Sequence, residues 1–258
     1  MTPDLQFFYH LFPGQLEYHL QSGAVSLPSP SKNGITFSAS RTGAGKKSIQ
    51  VPVEIITIRH GETHYNRENR IQGSLDSSLT DKGEKETVLL GRYLNRWLDS
   101  VDEWIVSPLG RARQTSAILR AEVKKPLPVE QVDPRLKEIF CGHLEGKTQD
   151  EIDPVVLHRL RNEPDFAYPG GESIIDVMER ADGFIQDRVK RKDGSDYRVV
   201  IVAHGNFNRS FAASLTGLGS SFAMSSIQSN TGLNRFFSYD GLKFKILTWN
   251  DTSHTLMS

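Results

Sequence analysis

One cysteine, Cys141, stands among 258 residues. No disulfide can therefore form within the chain, and no cysteine-rich metal site exists. That scarcity suits a reducing, cytoplasmic setting. Net charge is lacking as well, because 31 Lys and Arg offset 31 Asp and Glu. Such a balance removes the long-range field expected of a protein that binds nucleic acid or an anionic membrane. Any anionic ligand must be met by local positive charge. No apolar run nears the ~20 residues that span a bilayer. Apart from His60 and His64 no His-x-x-x-His pair occurs, and no carboxylate cluster has metal-ligand spacing, so neither a metal nor another cofactor is expected.

Acidic residues are absent from His19 to Val53, and the stretch SLPSPSKNGITFSASRTGAGKKS is rich in Ser, Gly and Pro. Residues 1–52 thus read as an N-terminal extension, either flexible or an organellar targeting segment. Asp4 and Glu17 count against targeting. Residues 53–258 carry the catalytic domain, in which strand and helix patterns alternate. Val53 to Ile58 is β-branched and apolar, as is Arg198 to Ala203. Trp104 to Val106 forms a shorter strand. Thr80 reads as the N-cap of a helix whose apolar face is Val88, Leu89, Tyr93, Leu94 and Trp97. Ser173 and Asp176 form a capping box before a helix that buries Val177, Met178, Ala181, Phe184, Ile185 and Val189. Helices also begin at Arg111 and Asn206. Two terminal segments, Gly232 to Phe237 and Lys243 to Trp249, flank a turn and predict a hairpin.

This alternation predicts an α/β fold: a three-layer sandwich with a mostly parallel central sheet flanked by helices. Ligands of such sheets sit beyond the carboxyl ends of the strands. Here one strand runs into Arg59-His60-Gly61, a second into His204-Gly205, and a third into Ser107-Pro108 just before Arg111. Three strand ends thus deliver cationic or titratable groups to one edge. Gly61 is expected to turn the chain sharply beside His60, and Arg59 offers a planar fork that suits phosphate oxygens. Asn66 and Gln72 could add neutral donors.

The segments RHGETHYN, LTDKGEKE, SPLGRARQT and VAHGN, in that order, resemble the histidine phosphatase superfamily, the phosphoglycerate-mutase-like group. The likeness runs from about Glu54 to Trp249. It implies a phosphomonoesterase in which His60 becomes phosphorylated, with His204 and Glu138 as the other catalytic residues. Glu138, within RLKEIFCG, takes the place of the proton donor. Arg59, Asn66, Gln72, Gly73 and Arg111 would bind the substrate. The same resemblance implies a small phosphorylated metabolite as the partner, and it leaves the oligomeric state open, a homodimer included.

Three functions compete. Water could resolve the phosphohistidine (a phosphatase), a bound monophosphate could take the group back (a mutase or sugar bisphosphatase), or the fold could serve only to bind. The joint presence of both histidines, both arginines and Glu138 argues against mere binding. Mutases of the group carry an arginine directly after the acid and a paired arginine further on. This chain has Ile139 after Glu138, and Arg159 and Arg161 are not adjacent. A rim with fewer cations favours the phosphatase.

Overall fold

The computed structural model describes residues 52–189 and 197–257; the expected extension up to residue 51 lies outside them. Six strands form one sheet in the order β3-β2-β4-β1-β5-β6. They are β1 (Val53–Arg59), β2 (Glu103–Val106), β3 (Glu130–Val132), β4 (Tyr197–Ala203), β5 (Leu233–Ser238) and β6 (Lys245–Asp251). The strands β3, β2, β4 and β1 pair in parallel, and β5 pairs antiparallel with both β1 and β6. The mostly parallel sheet and the terminal hairpin are as the sequence predicts.

Side chains alternate between two apolar layers. On one face Ile55, Val199, Ile201 and Ala203 pack with Val177, Ala181 and Phe184 of α5 (Ile174–Phe184) and with Phe207 and Phe211 of α6 (Gly205–Thr216). On the other, Ile56, Ile58, Val200 and Val202 pack with Leu90 and Leu94 of α2 (Asp81–Leu94) and Ala112 and Leu119 of α3 (Gly110–Glu122). Fully burying each such aliphatic side chain contributes about 2 kcal/mol. The helix after β1 therefore lies on one face and the helix after β4 on the other. That arrangement opens a crevice between the carboxyl ends of β1 and β4.

Four elements escape a reading of periodicity: the short β3, the one-turn α1 (His64–Arg67), α4 (Pro154–Asn162) and α7 (Gly219–Ser225). For α4 the signal was present, since Asp153 caps the helix and Pro154 follows in its first turn.

The inner face of α2 departs from expectation. Thr87, Leu90, Gly91 and Leu94 are buried, whereas Val88, Leu89, Tyr93 and Trp97 are only partly so. Close backbone packing rotates the helix. A Cβ on Gly83 would lie 2.7 Å from Glu62 N, and one on Gly61 would lie 2.8 Å from Gly83 O and 2.9 Å from Thr87 Oγ1. Only two facing glycines admit this approach. It also corrects the reason for Gly61, whose φ is not among the positive ones: the residue is small for contact with α2, not for a left-handed turn.

Gly83→Ala is accordingly expected to overpack this contact by about 1–3 kcal/mol. The thermal midpoint should fall by several degrees in differential scanning fluorimetry. An unchanged midpoint would mean that the α2 contact is not tight.

Candidate active site

Strand register sets the centre of the site. Arg59 pairs with Ala203 across β1 and β4, so the next residues, His60 and His204, emerge side by side. Their ring centroids stand 5.2 Å apart. His60 N donates to Ala203 O at 3.0 Å, and Ser107 N donates to Val202 O at 3.0 Å. The three strand ends named from the sequence do meet.

His60 is 2% exposed, and both of its ring nitrogens have partners. Nδ1 lies 2.8 Å from Gly61 O, which can only accept, so Nδ1 carries the proton. Arg111 Nε, which can only donate, reaches His60 Nε2 at 3.3 Å. The ring is therefore neutral, with its lone pair on Nε2. Its pKa is held well below the usual histidine value, first by burial and then by the charges of Arg111 and Arg59. Burial is the larger cause.

Arg111, 1% exposed, is fixed by the loop that precedes it in space. Its Nη1 donates to Leu75 O at 2.9 Å and to Asp76 Oδ1 at 3.2 Å, and its Nη2 donates to Gly73 O at 2.8 Å. Gly73 has φ of +53°, and an added Cβ would collide with the Glu145 carboxylate. Gly73 thus contributes its carbonyl to orient Arg111. Asp76 also accepts from the backbone N–H groups of Gly110 and Arg111, which caps α3 from outside. Asp76 was not singled out from sequence.

Arg59 Nη1 donates to Gln228 O at 2.6 Å. Burial lowers the Arg59 pKa to about 10, with Glu138 opposing and Arg209 and Arg111 reinforcing the fall. His204 is fully buried, its Nε2 2.7 Å from Ser107 Oγ. Its pKa is also held low, by burial first and then by Arg111 and His60. Three buried atoms of the expected site residues, Arg59 Nε, His204 Nδ1 and Gln72 Oε1, have no hydrogen-bond partner among the described residues. Two are nitrogens, and buried donors without a partner fit an oxyanion.

Glu138 lies against the start of α6, with Oε2 accepting from Asn206 N at 3.3 Å and Oε1 from Ile139 N at 2.9 Å. Arg180 on α5 holds this segment by donating to the carbonyls of Arg135, Lys137 and Glu138, and it pairs with Glu172 at 2.9 Å. Asn66 Oδ1 accepts from Thr63 N and from Asn230 Nδ2, which leaves its amide group for a ligand. Asn230 Nδ2 also donates to His60 O at 3.1 Å. Asn230 and Arg180 are positioning residues that spacing could not reveal, because their partners are 164 and 42 residues away. His64 and His143 are exposed.

Among the described residues no group of three or more His, Cys, Asp or Glu is placed to hold a metal ion. No helix there is long and apolar enough to cross a membrane.

Residues 55–252 match the histidine phosphatase superfamily (branch 1). A glucosyl-3-phosphoglycerate phosphatase of Mycolicibacterium vanbaalenii is 33% identical over 172 residues, 64% of this chain and 74% of that one. Phosphoglycerate mutase-like protein 4 of Arabidopsis thaliana is 32% identical, over 78% of this chain and 86% of its own. Among solved structures, a mycobacterial glucosyl-3-phosphoglycerate phosphatase complexed with VO3 superposes with a TM-score of 0.68 at 28% identity, covering 76% of this chain and 98% of that one. The chain belongs to the histidine phosphatase superfamily.

Burial fixes how stability should respond to pH. His60, His204 and His254, the last with its pKa lowered to about 4 by burial, stay neutral when folded. In the unfolded chain each takes a proton near pH 6.5. Folded pKa values below unfolded ones give stability that is full above about pH 7 and lost as pH falls. Unfolding free energies from urea titrations at pH 7 and 5.5 should differ by roughly 3–4 kcal/mol from these three groups. A flat profile would contradict the buried neutral state.

Proposed function

We propose that this member of the histidine phosphatase superfamily hydrolyses small phosphorylated metabolites by passing the phosphoryl group through Nε2 of His60, without a metal ion. That the chain is a phosphoric monoester hydrolase follows from its family and from the phosphatases among its relatives. The route is inferred chiefly from one observation: Gly61 O and Arg111 Nε between them hold His60 neutral, with its lone pair on Nε2.

A phosphomonoester brings about −1.5 to −2 charges. Arg59, Arg111, the Nδ1–H of His204, the Asn66 amide and the amino end of α6 receive its oxygens. As the phosphoryl group enters, Arg111 Nε turns from His60 Nε2 to an oxygen, which frees the lone pair. His60 Nε2 attacks phosphorus, the bond from phosphorus to the ester oxygen breaks, and Glu138 gives that oxygen its proton. Water then attacks the phosphohistidine, Glu138 takes the proton back, and the P–N bond breaks to release phosphate. Two guanidiniums and a histidine supply the charge stabilisation that phosphoryl transfer needs.

Phosphohistidine is labile to acid and stable to alkali. Rapid quenching with a reactive monoester should trap such a species on the unaltered chain, and His60→Ala should remove both it and turnover. A His60→Ala protein that retains most of its activity would falsify the nucleophile. Phosphate release without transfer to added 3-phosphoglycerate separates hydrolysis from mutase chemistry. Glu138→Gln should slow alkyl phosphates by about 10²–10⁴ and p-nitrophenyl phosphate far less, since that leaving group hardly needs a proton. Equal losses would reduce Glu138 to a structural part.

A further inference from the structure

A cavity of about 300 Å³ lies beside the Glu138 segment. Ile139 and Asn206 both line it, and both hold the Glu138 carboxylate through their backbone N–H groups. Glu138 therefore stands beside the cavity wall, and an alcohol leaving past it would extend into the cavity. This assignment rests on the proposed role of Glu138.

The wall is mixed: Gln149, Tyr168, Asn206 and two arginines line it beside an apolar patch. Leu157 and Leu160 of α4 face Phe166, Ile174 and Met224. Yet α4 buries none of its residues, so Leu157 and Leu160 are only half covered. A ligand body that removed them from water would gain the burial that the fold leaves incomplete.

At the Glu138 end of the same cavity lies Arg209. It donates to Ser226 O at 3.2 Å and to Asn206 Oδ1, both neutral. No carboxylate of the described residues forms an ion pair with it. Glu138 is felt only as a nearby charge, and burial lowers the guanidinium's pKa. A desolvated arginine that has only neutral partners is set up for an anion from outside. Arg161 stands exposed at the mouth, bonded to Gln149 Oε1 at 2.6 Å. The rim is therefore more cationic than the spacing of Arg159 and Arg161 suggests, because α4 and α6 each contribute one arginine.

We propose that this cavity selects phosphate esters of hydroxy acids that carry an apolar side chain, with Arg209 receiving the carboxylate and the α4 wall the side chain. Arg209 bonds Asn206, which in turn holds Glu138, so the carboxylate belongs close to the ester oxygen and the apolar part extends beyond it.

The test uses the phosphate ester of 3-phenyllactate, its methyl carboxylate ester and 3-phosphoglycerate, with 3-phenyllactate itself as an unreactive ligand. kcat/KM should favour the phenyllactate ester at least about tenfold over each of the other two, the size of effect that one charge-assisted contact carries. Calorimetry should show 3-phenyllactate binding at least about tenfold more tightly than lactate or methyl phenyllactate, with Arg209→Gln removing the preference for the acid. Equal binding of acid and methyl ester by the unaltered chain would overturn the assignment, whether or not Arg209→Gln folds. Phenyllactate binding without phosphate release from any ester would sink the phosphatase reading and leave the cavity assignment standing. Release without discrimination would do the reverse.

Discussion

Parallel pairing of Arg59 with Ala203 carries more consequence than any other contact in the molecule. It places two imidazoles beside one another at strand ends that are rigid because both faces of the sheet are covered. A slip of one residue would send His204 to the opposite face and separate the rings. The Thr57 hydroxyl, which accepts from Asn234 Nδ2 at 2.8 Å, ties β1 to β5 on its other side. The His60 carbonyl accepts from Thr231 N and Asn230 Nδ2. The residue proposed to make and break bonds with phosphorus is thus held by backbone on both flanks.

Electrostatics around this centre work against stability. Arg59, Arg111 and Arg209 are each desolvated enough to lower their pKa, and Glu138 is the carboxylate that they share as an opposing charge. Concentrating cations in a poorly solvated space costs free energy, offset here by the two apolar layers of the sheet. The same concentration keeps His60 neutral and leaves donors for an anion. Charge that destabilises the empty protein would thereby serve the proposed phosphoryl group, in the manner of preorganised sites generally.

Short-range signals made much of this legible. Apolar runs ending in Arg59-His60 and Ala203-His204 identified the central strands and the residues at their tips, and the Ser173 capping box located α5. Three kinds of feature stayed hidden. The orientation of α2 depended on glycine contacts between elements, which periodicity does not encode. Asn230 and Arg180 act on carbonyls far away in sequence, so no local pattern marks them. The cavity arises from α4, α6 and the loop after Glu138 together, and its cationic character comes from arginines on different helices. Sequence thus revealed the chemical centre, built at strand ends, better than the surroundings that would choose a substrate.

That division bears on whether water or an alcohol would resolve the proposed phosphohistidine. If the leaving alcohol stayed beside Glu138, the phosphoryl group would return to it and nothing would be gained. Hydrolysis requires the cavity to empty before water enters. A helix that buries none of its residues has little apolar packing to hold it closed, and such elements open locally at small free-energy cost. Tight walls would favour return of the phosphate, whereas a loosely seated α4 favours departure of the alcohol. The weak packing of α4 is therefore consistent with hydrolysis, since the grip that selects the leaving group must also release it.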